Sequence, residues 1–203
     1  MKVTIIGAGK MGRGIGTRLV AGGHEVAILD RDPAEAQRLA SEIGATAAES
    51  VDGDVAVLAL YYPGTLDAAD QYRDGLAGKV VVDICNPVDT QTWDRLATPP
   101  DTAAAEELAA RLPDSRVVKA FNTTFANTLV AGEAHGQQLD VLIAGDDEEA
   151  KRAVASLAES GGLRPIDVGP LERARQLEQL GFLHVAIQEA LGSGFASAVK
   201  FHW

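Results

Sequence analysis

The chain opens on a short apolar run that breaks into three glycines at fixed spacing. Residues 3–6 are apolar and β-branched but for Thr4, long enough for a buried strand. Gly7, Ala8, Gly9, Lys10, Met11 and Gly12 follow at once, so the glycines stand at GxGxxG spacing. Each glycine answers a different steric demand. Gly7 permits a tight turn out of the strand, Gly9 lets the backbone come close to a pyrophosphate, and Gly12 lets the next helix pack against the sheet. That helix is expected from about Lys10 to Ala21, with its first amides aimed at the phosphates, and Gly22-Gly23 stop it. Glu25–Leu29 reads as a second strand ending at Asp30, where an acidic residue about 20 positions after the glycines would meet a ribose. The order strand, glycine loop, helix, strand separates a dinucleotide-binding unit from a chance glycine-rich turn.

Strands and helices continue to alternate. Asp32 is placed to cap a helix, Pro33 suits its first position, and Gly44 ends it. Further strands are expected over 45–47, 54–60, 79–84, 116–120, 138–144 and 164–168. Helices are expected over 65–72, 102–111 with Thr102 as the cap, 148–159 and 171–190. The polar, proline-bearing segment 89–101 reads as a long loop of the kind that often carries function. The pattern predicts an α/β, Rossmann-type doubly wound sheet, mainly parallel, with a short C-terminal helical appendage. Residues 1–168 form the dinucleotide-binding domain, and 169–203 close the site or a dimer interface. Ligands of open α/β sheets lie beyond the carboxyl ends of the strands, so Leu60, Tyr61, Tyr62 and Pro63 should flank an adenosine half. The two tyrosines could instead cover the sheet edge.

A net charge of −11 over 203 residues argues against nucleic acid or an anionic membrane surface as partner. The single cysteine, Cys85, rules out an intramolecular disulfide and fits a reducing compartment. No apolar run is long enough to span a membrane, and the N-terminus enters a strand directly, so a cytoplasmic protein is expected. His24, His135, His184 and His202 share no ligand-like spacing, and a metal site is not expected.

Five motifs in order carry a family likeness. They are Gly7-Ala-Gly-Lys-Met-Gly12, Cys85-Asn-Pro87, Val118-Lys-Ala-Phe-Asn-Thr123, Ala144-Gly-Asp-Asp147 and Gly169-Pro-Leu-Glu-Arg-Ala-Arg-Gln-Leu-Glu178. Together they resemble the NADP oxidoreductases that use the deazaflavin coenzyme, and the cytosolic reductase domains of the six-transmembrane ferric reductases are similar. The resemblance implies NADP(H) on the N-terminal domain, with hydride passing to or from a flavin or deazaflavin ring. It further implies a ribose region at Asp30 and Arg31. The implied nicotinamide neighbourhood is Cys85, Asn86 and Pro87 with Ala120, Phe121, Asn122 and Thr123. In one place the chain departs from the pattern, which has a small hydroxyl residue before the basic one; here Asp30 precedes Arg31. A carboxylate there favours the free 2′-hydroxyl of NAD, so NADP rests on the resemblance and the residue alone favours NAD.

Hydride transfer between stacked rings needs orientation more than acid–base chemistry, and the cofactor carries the reaction. Asn86 and Asn122 are expected to hydrogen-bond the carboxamide or ribose, with Pro87 and Phe121 as walls. Asn122, Thr123 and His184 are the catalytic candidates. Competing readings are that Asn122-Thr123 cap the next helix, that His184 is an ordinary buried histidine, and that Cys85 is inert. Arg173, Arg175 and Glu178 read as a solvated or paired face. Trp93 could cover a bound ring or anchor its loop. The partners expected are a small-molecule hydride acceptor and a second copy of the chain. Two other functions stay open: a small-substrate dehydrogenase or imine reductase completed by a dimer, and a non-catalytic dinucleotide sensor.

Overall fold

The computed structural model describes residues 1–202; Trp203 lies outside the described residues. The elements run β1 (Lys2–Ile6), α1 (Lys10–Ala21), β2 (Glu25–Leu29), α2 (Pro33–Ile43), β3 (Thr46–Ala47) and β4 (Val55–Leu58). Next come α3 (Tyr62–Gln71), α4 (Arg73–Leu76), β5 (Val80–Asp83), α5 (Ala104–Arg111), β6 (Arg116–Lys119) and α6 (Ala126–Ala131). A small hairpin of β7 (Glu133–Ala134) and β8 (Gln137–Gln138) precedes β9 (Asp140–Gly145), α7 (Glu148–Ser160) and β10 (Arg164–Gly169). A 3-10 turn (Leu171–Arg173), α8 (Ala174–Ala186) and α9 (Gln188–Leu191) follow.

The main sheet has eight strands in the order β10-β9-β6-β5-β4-β1-β2-β3. Its pairings are parallel except β6 with β9, where Val118 faces Gly145 and Lys119 faces Ala144. This is the Rossmann-type, mainly parallel α/β fold expected. The chain leaves β1 toward β2 and β3, then returns on β1's other side as β4. The switch point therefore lies between β1 and β4, where a ligand crevice forms in such sheets.

Strand side chains alternate between two apolar layers. Ile5, Ile28, Val57 and Val82 meet Ile15 and Leu19 of α1, Leu39 of α2 and Val154 and Leu157 of α7. Ile6, Leu29, Leu58 and Val81 meet Leu76, Leu108 and Leu112 on the opposite side. Helix ends follow local chemistry. Asp32 caps α2 by accepting from the Ala34 N–H at 2.9 Å, and Asp147 caps α7 through the Ala150 N–H at 2.7 Å. Helix α3 starts three residues before the expected boundary, because Pro63 sits in its first turn, where a missing N–H costs nothing. Segment 171–190 is broken where one helix was expected. The Gln188 side chain donates to the His184 carbonyl at 2.6 Å, an acceptor that a continuous helix would give to the Gln188 backbone. Among the described residues no helix is long and apolar enough to cross a membrane.

The C-terminal tail is fastened by one buried carboxylate. Asp140 takes two hydrogen bonds from Arg164 (2.7 and 2.6 Å), one from the Lys200 ammonium (2.6 Å) and one from the Phe201 N–H (2.9 Å). Burial pushes the Asp140 carboxyl up, but these donors outweigh burial and hold it down at about 2. Its folded value lies below its unfolded one, so its contribution to stability is present above about pH 4 and disappears as pH falls through about 2. Asp140→Asn should therefore cost about 2 kcal/mol at pH 7 and flatten the loss of stability between about pH 4 and 2. Urea unfolding across that range measures both effects.

Candidate functional site

The three glycines of the β1–α1 loop meet three different surroundings. Gly7 has φ +114°, and a Cβ there would lie 2.5 Å from the Ala59 carbonyl oxygen at the end of β4. At Gly12 a Cβ would lie 2.1 Å from the Gly7 carbonyl oxygen, so α1 is pressed against its own loop. At Gly9 a Cβ would meet nothing within 4 Å. Gly7 and Gly12 thus serve packing, and Gly9 leaves open space. Gly9 is also the N-cap of α1 and supplies no side-chain acceptor, so the first-turn amides are left for an outside anion.

Beside this loop runs a groove of about 780 Å³, a size suited to a small-molecule ligand. Gly7 and Gly9 form its floor, Asp30 and Arg31 come from the end of β2, and Leu60, Tyr61 and Pro63 come from the β4–α3 connection. Helix α3 adds Asp67 and Gln71, and the long loop after β5 adds Thr90. Asp30 is braced here. Its Oδ2 accepts from the Ala8 N–H at 2.7 Å and its Oδ1 from the Asp32 N–H at 3.0 Å. Lys10 lines a smaller cleft on the α2 side of the loop, and Met11 packs on the core. These surroundings fit a dinucleotide: free amides at a helix start, an open glycine, and an acidic and a basic side chain at the tip of β2.

Other residues fall elsewhere. Tyr62 does not line the groove; its hydroxyl donates to Glu107 on α5, and burial together with that carboxylate raises its pKa. Trp93 is exposed and does not line the groove. Cys85, Pro87, Ala120, Phe121, Asn122 and Thr123 are buried, Asn86 half-buried, and none lines the groove. The reason is α8, which lies over the ends of β5 and β6. Asn122 Nδ2 donates to Asn86 Oδ1 at 2.9 Å and to the Leu177 carbonyl of α8 at 2.8 Å. Asn86 Nδ2 donates to the Asn122 carbonyl at 2.8 Å. The two asparagines are thus spent largely on each other, although Asn122 Oδ1 is buried without a hydrogen-bond partner among the described residues. Gly181 makes the contact possible, since a Cβ there would lie 2.5 Å from Asn86 Oδ1. Neither Asn122 nor Thr123 caps α6, whose N-cap is Phe125 without a side-chain bond. Phe121 holds φ +63°, a rare conformation for a bulky residue, at the tip of β6.

His184 is also removed from the groove. It is buried, Nδ1 donates to the Thr123 carbonyl at 3.2 Å, and Nε2 lies 2.8 Å from Ser197 Oγ. Phe125 stacks beside it at 4.3 Å, and burial lowers its pKa. It fastens the tail to the helix, and both its nitrogens are engaged. Burial, then Asp83, pushes the Cys85 thiol well up, which leaves it unreactive.

Lys119 stands outside the residues expected at the site. It is fully buried, and its ammonium donates to Asp83 (2.6 Å), Glu178 (2.7 Å) and the Cys85 carbonyl (2.6 Å). Burial opposes this charge, but the carboxylates of Asp83 and Glu178 overcome it and raise the Lys119 pKa. Glu178, expected on a solvated or paired face, is fully buried. It accepts from the Ala104 and Ala105 N–H groups at 3.0 and 3.3 Å, the capping role expected of Thr102. A lysine among buried valines, one strand from an aspartate in the same register, is the signal that could have revealed the pair.

The family model for coenzyme F420-dependent NADP oxidoreductases matches residues 2–87. The F420-dependent NADP reductase of Methanocaldococcus jannaschii is 34% identical over 200 residues, spanning 89% of this chain and 89% of that protein. Metalloreductase STEAP3 of Rattus norvegicus is 36% identical over 185 residues; the match takes in 88% of this chain but only 36% of that longer protein. A crystal structure from Arthrobacter sp. FB24, provisionally described as an F420-dependent NADP reductase, superposes with a TM-score of 0.90 at 29% identity, covering 100% of both chains.

Replacing Lys119 with Met would leave two carboxylates buried without their cation. The variant should lose about 3–5 kcal/mol of unfolding free energy. Adding Asp83→Asn and Glu178→Gln should return part of that loss, as chemical denaturation of the three proteins will show.

Proposed function

The chain belongs to the coenzyme F420-dependent NADP oxidoreductase family, and from that membership we propose that it moves hydride between NADP(H) and a flavin, deazaflavin or similar ring acceptor. One observation carries the reading. The loop packs tightly at Gly7 and Gly12 yet keeps Gly9 open beside uncapped helix amides and a groove ending at Asp30 and Arg31. In this reading the first amides of α1 hold the pyrophosphate, Asp30 and Arg31 meet the adenosine ribose, and Leu60, Tyr61 and Pro63 flank the adenine. When bound, the nicotinamide ring supplies or takes the hydride. The protein's part is to hold the ring in place and keep water away, a positioning contribution of about 7–11 kcal/mol in favourable cases. No side chain of the chain needs to exchange a proton for that step, in keeping with the burial of His184 and the pairing of Asn86 with Asn122.

The same proposal includes a homodimer through the end of the chain. Leu183, Ile187 and Leu191 recur every four residues and stay exposed, with Phe195 beyond them. A monomer by light scattering at micromolar concentration would exclude it.

Gly9→Ala separates binding from folding. Its φ of −78° suits alanine and the Cβ has room, so stability should change by less than about 0.5 kcal/mol. Dinucleotide affinity should nevertheless fall at least tenfold, read by fluorescence titration. Wild-type protein should also consume NADPH, followed at its absorbance band, with at least one of FMN, riboflavin and a 5-deazaflavin. Tight binding without turnover on any ring would favour a sensor.

A further inference from the structure

Two hydrogen bonds hold the Asp30 carboxylate where the groove reaches the end of β2. Its Oδ2 accepts from Ala8 of the glycine loop at 2.7 Å, and its Oδ1 from Asp32 at 3.0 Å. Rotating the carboxylate away would strip both amides of a charged acceptor. The negative charge is therefore fixed beside the glycine loop. A carboxylate has about four acceptor positions, so two bonds leave capacity for a further donor.

The cations nearby do not neutralise this charge in the groove. Arg13 pairs with Glu42 at 2.5 Å and Arg38 with Glu35 at 2.6 Å, both in the neighbouring cleft. Lys10 lines that cleft too. Asp32 adds a second carboxylate at the start of α2. Arg31 remains: it lines the groove, is exposed, and has no ion-pair partner among the described residues. A ribose 2′-phosphate entering here gains one cation but faces a carboxylate that cannot retreat. A 2′-hydroxyl gains an acceptor and leaves no charge opposed.

We infer that Asp30 is the residue that sets dinucleotide choice in this site, admitting NADH on terms comparable with NADPH through a hydrogen bond from the ribose 2′-hydroxyl. The inference rests on the groove being the dinucleotide site proposed above. It differs from a plain NADP site in assigning opposite preferences to two adjacent side chains: Asp30 selects the hydroxyl and Arg31 the phosphate.

Fluorescence titrations of NADPH and NADH into the wild-type protein and Asp30→Asn provide the test. Asparagine keeps a carbonyl oxygen for the Ala8 N–H and removes the charge. The wild-type Kd for NADH should be no more than tenfold above that for NADPH, and Asp30→Asn should shift the ratio toward NADPH at least fivefold. A wild-type preference for NADPH beyond tenfold, or a smaller shift in the variant, overturns the inference and leaves the dinucleotide site standing. Failure of the folded wild type to bind either dinucleotide overturns both. If Asp30→Asn does not fold, the exposed Arg31→Ala replaces it. That variant should weaken NADPH at least fivefold with NADH held within threefold, and equal weakening of the two counts against the inference.

Discussion

A lysine ammonium sealed between two carboxylates joins four parts of the fold. Lys119 at the end of β6 meets Asp83 at the end of β5 and Glu178 in α8, and Glu178 in turn caps α5. The same ammonium holds the Cys85 carbonyl, which fixes the turn leaving β5. Burying these charges is expensive, and the pairing serves geometry more than net stability. With Glu178 anchored, the Leu177 carbonyl reaches Asn122 and Gly181 comes down on Asn86. The cover over the strand tips thus follows from one buried cation.

At the other end of the crevice a carboxylate does comparable work in a more open setting. Asp30 ties the tip of β2 to the glycine loop through Ala8, while Gly12 draws α1 onto Gly7. Loop, strand tip and helix are held together before any ligand arrives, so little ordering is left for binding to supply. The two halves differ in character. The Asp30 half is open and lined for a ligand, and the Asn86–Asn122 half is closed beneath α8 and bonded within itself.

The alternation of strands and helices was legible because buried parallel strands are written as unbroken apolar runs such as Val80-Val-Val82, punctuated by Gly, Pro and Asp. Asp32 could be recognised as a cap because it bonds to its own helix, two residues on. Thr102 looked like a cap for the same reason and was displaced by Glu178, 74 residues from the Ala104 amide it holds. Tyr62 and His184 were misplaced similarly. Tyr62 follows a strand tip and His184 lies on the terminal helix, but rotamer and neighbour decide whether such a side chain faces the crevice or the interior.

Local sequence by itself determined the doubly wound architecture, the glycine loop at its switch point and the acidic–basic pair at the tip of β2. Each of these depends on periodicity, on backbone freedom or on spacing within one βαβ unit, and all three are short-range properties. Tertiary structure alone decided which polar residues stay available to a ligand. That depends on partners brought in from far along the chain, as Glu178 and Leu177 are, because a buried polar group must find a partner wherever the fold supplies one.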